Sequence, residues 1–293
     1  MVVDGTLGAG GVTATLLEGV LPGGRVLAID RDPAAVQRGR ERFAGSARTV
    51  LVEHGDFADL AGILRHHGID AVDAVTLDLG ISSLQLDDPD RGFSFRYDGP
   101  LDMRMDPSAG GITAADIVNT WTSDELANVI ATYGEERFAR AVAAALVRRR
   151  SEKPLRTTTD LRECVERAIP RRYWPRRIHP ATRTFQALRL EVNHELESLE
   201  RGLQATITSL RPGGRLGVIS FHSLEDTLVK NALHVAAQNC LCPPQQPLCT
   251  CAHRASLFLH TRKAIKADAV EIATNPRARS ARLRVAEKLA VAP

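Results

Sequence analysis

The chain has 293 residues, 44% of them hydrophobic and 25% charged, with a net charge of +3. That is the balance of a water-soluble globular protein able to bury one large core, or a core plus a smaller domain. No stretch approaches the length of an apolar membrane span, no basic-then-apolar leader opens the chain, and five cysteines, four of them crowded between 240 and 251, do not make a secreted disulfide framework. The expectation is a cytoplasmic protein with no membrane partner. Charge is unevenly spread. Residues 1–102 hold sixteen acidic against nine basic side chains, residues 103–190 ten against sixteen, and residues 191–293 nine against thirteen. An acidic front and a basic remainder point to a polyanionic partner, although solvated arginine-rich helices give the same count.

In chain order, the first third alternates strand and helix. Strands are expected at 1–3, 25–29, 49–53 and 71–78, with helices starting near Gly11, Pro33 and Ala58. The first strand runs into Asp4-Gly5-Thr6-Leu7-Gly8-Ala9-Gly10-Gly11, and the second ends in Asp30. Glycines at 8, 10 and 11 permit positive φ and close approach of a ligand. A dinucleotide fingerprint needs a further glycine at position 13, where threonine stands, and no lysine precedes Lys153 to meet a triphosphate. An acid beside the loop suits a cationic ligand and repels a pyrophosphate. S-adenosylmethionine fits: it lacks phosphate, carries a sulfonium and an α-amino group, and offers a ribose diol to Asp30. A plain strand–helix turn is the alternative.

The strand at 71–78 ends in Asp78, at the edge that faces the ligand crevice in open α/β sheets. Ser82, Ser83 and Gln85 follow it; the competing reading is that Asp78 caps the next element. Residues 84–111 read as a long loop whose Phe93, Phe95, Met103 and Met105 argue against disorder. Residues 112–169 read as helical, including a helix capped at Thr122 and another from Glu135 to Arg150. A helix over 187–210, a turn at 211–214, a strand over 215–221 and a last strand over 275–285 return to α/β character. The expected fold is α/β, one Rossmann-like sheet with a helical domain inserted after its fourth strand. Residues 1–105 and 186–293 would form the discontinuous core, and 106–185 the insert for substrate recognition.

Several runs carry a more specific signal: Leu77-Asp78-Leu79-Gly80-Ile81-Ser82-Ser83 through Gln85-Leu86-Asp87, Arg91 to Phe95, Gly99 to Asp106, Tyr133 to Glu136, His179 to Ala187, Ser220 to Asp226, and Asn275 to Ser280. In these the chain resembles the RsmH (MraW) family of bacterial ribosomal RNA methyltransferases, nearly from end to end. The resemblance implies transfer of a methyl group from S-adenosylmethionine to the exocyclic N4 of a decoding-centre cytidine in 16S rRNA of the small ribosomal subunit. Carried over by position, the cofactor residues are Gly10, Gly11, Val12, Asp30, Phe57, Asp78 and Gln85, with Phe57 against the adenine or, alternatively, in the core. Valine stands at 12 where the family often has histidine. The family's usual His-x-Pro-Val-Leu-Leu segment precedes the first strand, whereas this chain begins inside it, so a cofactor pocket open on that side is expected.

Cytosine N4 is a weak nucleophile because its lone pair is delocalised into the ring, so position and electrostatics must carry the reaction. Asp78 is expected to orient the amine or the cofactor, with Phe93 or Phe95 flanking the extruded base. DNA amino-methyltransferases place Asp/Ser-Pro-Pro-aromatic at this strand end, and Asp78-Leu79-Gly80 keeps only the acid. Methylation of DNA or of a small molecule, and RNA binding by an inactive methyltransferase fold, are the alternatives. Arg171, Arg172, Arg176 and Arg177 interleave with Tyr173 and Trp174 in a composition suited to phosphates and stacked bases. Further cations stand at 148–150, 153 and 156, and at 277, 279, 282 and 284; a solvated face is the competing reading for each cluster. His222 either bonds the target base or caps the sheet edge, with Ser223 and Asp226 forming a helix cap. Cys240-x-Cys242 and Cys249-x-Cys251 have the composition of a zinc site, but C-x-C pairs and Pro243-Pro244 read more simply as a surface loop, so no metal is assigned. Oligomeric state is left open, with a dimer among the options.

Overall fold

The computed structural model describes residues 1–290 other than 21, 47, 244 and 247. Pro244 and the last three residues of the expected core segment therefore lie outside the described residues. The chain divides into two compact units, one of residues 1–80 and 196–293, the other of residues 81–195.

In the first unit, short aliphatic and β-branched runs make the strands and polar-capped segments the helices. The order is β1 (Val2–Asp4), α1 (Gly11–Val20), β2 (Val26–Asp30), α2 (Pro33–Arg42), β3 (Val50–His54), α3 (Leu60–His66) and β4 (Val72–Asp78). Asp32 caps α2 by accepting from the Ala34 amide, and Pro33 supplies a preset φ where no amide partner is needed. All neighbouring pairs among β1 to β4 are parallel; Val3 pairs with Leu27 on one side and Val75 on the other. Such strands are covered on both faces, which is why Val26–Ile29 is buried at every position.

The second unit is helical: α4 (Ser83–Asp87), α5 (Ala114–Thr120), α6 (Ser123–Gly134), α7 (Ala139–Glu152), α8 (Thr158–Ala168) and α9 (Thr182–Asn193). Ser82, Thr113, Thr122 and Thr157 each begin a helix with a reciprocal capping box, each cap contributing about 1 kcal/mol. The rest of the first unit follows: α10 (Glu195–Ser209), β5 (Leu210–Ser220), α11 (Ser223–Ala236), β6 (Leu257–Leu259), β7 (Ile265–Lys266), α12 (Ala269–Thr274) and β8 (Arg282–Lys288). The sheet order is β3-β2-β1-β4-β5-β8-β6. β5 is parallel to β4, while β8 runs antiparallel to β5 on one side and to β6 and β7 on the other. The α/β, Rossmann-like expectation holds.

Four expectations shift. The helical unit begins at Ile81 and ends at Glu195, not at 106 and 185. The reason is burial: Phe93, Leu101, Met103 and Met105 from the long loop pack with Ile117, Leu146 and Leu188 in its core. Asn193, at the end of α9, clamps that loop by donating to the Met103 carbonyl and accepting from the Met105 amide, both at 2.7 Å. The expected helix over 187–210 is two, broken at His194 in the left-handed region. Glu135 lies in the same region and caps α6 instead of opening the next helix. The last strand starts at Arg282, because Pro276 to Ser280 coil into a short 3-10 turn.

Candidate functional site in the sheet unit

In this strand order the chain reverses direction across the sheet at β1 and β4, and ligands of open α/β sheets sit outside the strand carboxyl ends at such a point. Asp4, Asp30 and Asp78 are the last residues of β1, β2 and β4. Three acids thus stand at one edge, each for the simple reason that a hydrophobic strand ends there.

Their environments differ. Asp4 is fully buried, and its oxygens accept from the Thr6 amide at 3.1 Å and the Thr13 hydroxyl at 2.6 Å. Through both oxygens it braces the loop that it stands beside. Burial raises its pKa, against the pull of the Thr13 hydroxyl. Asp30 accepts the Gly8 amide at 2.7 Å and the Asp32 amide at 2.8 Å, one on each oxygen. Each oxygen keeps a lone pair, the pattern needed to receive two vicinal hydroxyls. Desolvation lifts this carboxyl to about 6, with those amides pulling the other way. Asp78 has its amide held by the Thr6 hydroxyl at 2.7 Å, but its buried Oδ1 has no hydrogen-bond partner. Desolvation first, then the charges of Asp4 and Glu225, raise it to about 6. A buried, unpartnered carboxylate oxygen beside two further acids calls for a cation or a hydrogen-bond donor.

The glycine turn is shaped for close approach. Gly8 and Gly10 have φ of 50° and 79°, and a Cβ built on Gly11, at the start of α1, would meet nothing within 4 Å. Val12 follows in the first turn of that helix, half-buried. Phe57 sits in a turn fixed by Asp56, whose oxygens accept from the Ala58 amide at 2.8 Å and the Ser198 hydroxyl at 3.0 Å. The Phe57 ring lies so close on Gly202 of α10 that a side chain there would overlap it. The phenylalanine is half-buried, wall and core at once.

At the end of β5, His222 is the N-cap of α11, so the expected cap at Ser223 moves one residue back. Its Nδ1 faces the Glu225 amide at 3.4 Å, while Glu225 accepts from the Phe221 amide at 2.9 Å. His222 Nε2 lies 3.0 Å from Glu225 Oε1 without hydrogen-bond alignment. The sequence offers only faint signals for Glu225 and Thr6: an acid three residues after His222, five past the end of β5, and a hydroxyl inside the glycine turn. Asp226 does not cap the helix. It binds Arg284 at 2.8 Å and Arg282 at 2.9 Å, which removes those two arginines from the expected basic surface.

The remaining candidates belong to the helical unit. Gln85 is buried and closes the capping box with Ser82, accepting its amide at 3.0 Å. Phe93 is 6% exposed and sits within the helical core, so its ring is not presented at the surface to flank a base. Phe95 is half-buried, with ring centroids 4.7 Å from His179 and 5.1 Å from Phe185. Arg171, Arg172, Arg176 and Arg177 are all exposed and have no carboxylate partner among the described residues. The Arg171 guanidinium lies 5.5 Å from the Trp174 ring centre and that of Arg172 4.8 Å from Tyr173. In contrast Arg149 is tied to Asp160, and Arg150 to the Val118 carbonyl.

The MraW methylase family profile matches residues 1–289. A protein of Syntrophotalea carbinolica named ribosomal RNA small subunit methyltransferase H is 50% identical over 98% of this chain and 91% of its own length. One of the same name from Thermomicrobium roseum is 52% identical over 98% of this chain and 87% of its own. A solved rRNA methylase from Streptococcus thermophilus aligns over 99% of this chain and 86% of its own, with 11% identity and a TM-score of 0.41, too low to bear on function. With half of all positions identical along almost its whole length, the chain belongs to the MraW methylase family.

Proposed function

We propose that the protein methylates the exocyclic N4 of a decoding-centre cytidine in 16S rRNA of the small ribosomal subunit, using S-adenosylmethionine. Such a substrate places it in the cytoplasm. One observation beyond family membership carries the reading: the unpartnered Oδ1 of Asp78, buried beside Asp4 and Glu225. The fit to this cofactor rests on the same edge. Asp30 has lone pairs left for a ribose diol, the positive-φ turn admits close approach without phosphate-binding side chains, and Phe57 offers an apolar wall to an adenine. When bound, the cofactor supplies an electrophilic methyl group on a sulfonium.

The chain's own residues do the rest. Asp78 accepts a hydrogen bond from the amine, drawing electron density toward N4, or holds the cofactor's cationic end. Thr6 and Asp4 fix the backbone on which that carboxylate stands. Glu225 keeps the potential negative, so that a cation or a developing positive charge is favoured there. In the helical unit, the exposed arginines at 171, 172, 176 and 177 with Tyr173 and Trp174 bind RNA phosphates and bases.

The test is labelled methyl transfer to small subunits lacking the modification, with naked 16S rRNA as the second substrate. Incorporation at a cytidine N4 is expected; incorporation elsewhere, or none despite cofactor binding by calorimetry, overturns the assignment. Charge reversal at Arg171 and Arg172 together is expected to weaken RNA binding at least tenfold and flatten its salt dependence, leaving cofactor affinity unchanged. Unchanged RNA affinity removes these arginines from the interface.

A further inference from the structure

Between α11 and β6 the chain makes an excursion that holds four of its five cysteines. The Sγ atoms of Cys240, Cys242, Cys249 and Cys251 all lie within 4.8 Å of one another. Cys240 and Cys249 are 3.4 Å apart, Cys249 and Cys251 3.6 Å, and Cys240 and Cys251 3.8 Å. Disulfide sulfurs stand about 2.0 Å apart, so these are four separate thiols. Four thiolates around one zinc ion at about 2.3 Å define a tetrahedron with edges of about 3.8 Å. The three spacings among Cys240, Cys249 and Cys251 lie within about 0.4 Å of that edge, and Cys242 Sγ is no more than 4.8 Å from each of them.

Backbone amides point at the sulfurs. Leu241 donates to Cys251 Sγ at 3.3 Å, Thr250 to Cys242 Sγ at 3.4 Å, and Cys242 to Cys240 Sγ at 3.4 Å. Each arm of the loop thus donates to a sulfur of the other, an arrangement that stabilises negative charge on sulfur. None of the described residues from 241 to 252 is buried, and Leu241 is 44% and Leu248 77% exposed, so among these residues no apolar core holds the loop. No aspartate or glutamate occurs from residue 227 to 267, so the donors are purely soft, and Lys230, Arg254 and Arg262 fall in the same stretch. Such a set selects zinc over magnesium or calcium, and the stretch carries basic side chains only, opposite in sign to a doubly negative tetrathiolate complex.

We propose that Cys240, Cys242, Cys249 and Cys251 bind one Zn²⁺ ion and that this structural centre closes the loop between α11 and β6. Each thiol releases its proton to solvent on binding, no electron is transferred, and four protein ligands leave no open position for catalysis. The closed loop delivers the chain to β6, whose start is tied back through the Ser256 amide to the Ala236 carbonyl at 2.8 Å and His253 to the Val235 carbonyl at 2.9 Å.

The test uses the full chain, purified reduced from zinc-supplemented cells. Elemental analysis is expected to find one zinc per chain, and Cys164→Ser to keep it. The metal-free chain titrated with Co²⁺ is expected to develop the intense visible bands of a tetrahedral thiolate complex, displaced by Zn²⁺. In the wild-type protein Zn²⁺ is also expected to slow the reaction of four thiols with a disulfide reagent at least tenfold, a readout that needs no variant to fold. Cys240→Ser with Cys249→Ser should lose the metal. Metal-free protein under these conditions, absence of the cobalt bands, or two disulfides by mass spectrometry in place of zinc would each overturn the proposal.

Discussion

Replacing Asp78 with asparagine separates the cost of a buried charge from its use. The Asp78 carboxyl is raised from 3.8 to about 6 by desolvation and by the charges of Asp4 and Glu225. The folded chain therefore holds this proton more tightly than the unfolded chain. The carboxyl favours folding fully below pH 3.8, and that contribution is lost as the pH rises to about 6. Relative to that limit, the ionised group lowers stability near neutrality by at most about 3 kcal/mol, since one pH unit corresponds to about 1.4 kcal/mol. The residue keeps partial access to solvent, so about 1–2 kcal/mol is the working figure. Asparagine carries no charge. Asp78→Asn should raise unfolding free energy by about 1–2 kcal/mol at about pH 8, with the gain shrinking toward pH 5. Urea denaturation at the two pH values measures it, with methyl transfer followed in parallel and expected to fall at least a hundredfold. A variant no more stable than wild type at the higher pH would refute the claim that this carboxylate is uncompensated in the free protein. Full turnover would refute its role.

Other expectations follow from the same geometry. Because Asp30 and Asp78 both titrate near 6, binding a cationic cofactor at pH 6 should release protons, seen as a calorimetric enthalpy that changes with the ionisation heat of the buffer; a buffer-independent enthalpy would contradict it. Affinity should also weaken below pH 6 as the carboxyls protonate. Gly202→Ala places a methyl group where the Phe57 ring lies, and should cost about 1–3 kcal/mol in denaturation while raising the cofactor Kd; an unaffected Kd would show that Phe57 is only core. Asn193→Ala strands the Met103 carbonyl and the Met105 amide in a buried setting, for a loss of about 2–4 kcal/mol. A melting temperature within a degree of wild type would show that the loop is held by its apolar side chains alone.

What could be read from the chain follows what is local. Strands that are aliphatic runs ending in an acid, and helices opened by a capping residue such as Asp32 or Thr122, declare themselves within a few residues. The segment from Phe93 to Met105 does not, because its apolar residues have no helical or strand period. What orders it is a core supplied by residues up to Leu188 and a clamp from Asn193, some ninety positions away in sequence for Met103 and Met105. The break at His194 was hidden because a left-handed residue there is histidine, with no glycine to announce it. At the site, positions at strand ends were legible, but charge environment was not: the roles of Thr6 and Glu225 appear only once β1, β4 and β5 stand side by side. Neither was the gathering of the four thiols, which depends on how two C-x-C arms face each other.

The placement of β8 has a consequence for synthesis. The helical unit is one uninterrupted stretch, residues 81–195, and can assemble as soon as it leaves the ribosome. The sheet unit cannot. β4 waits through that whole stretch for β5, and the far edge of β5 stays bare until β8, residues 282–288, has emerged. A nascent chain stalled before residue 282 would carry an unpaired β5 edge, the feature that templates aggregation. The last strand acts as a late edge protector, and slow translation through α12 would lengthen the time for which β5 depends on chaperones.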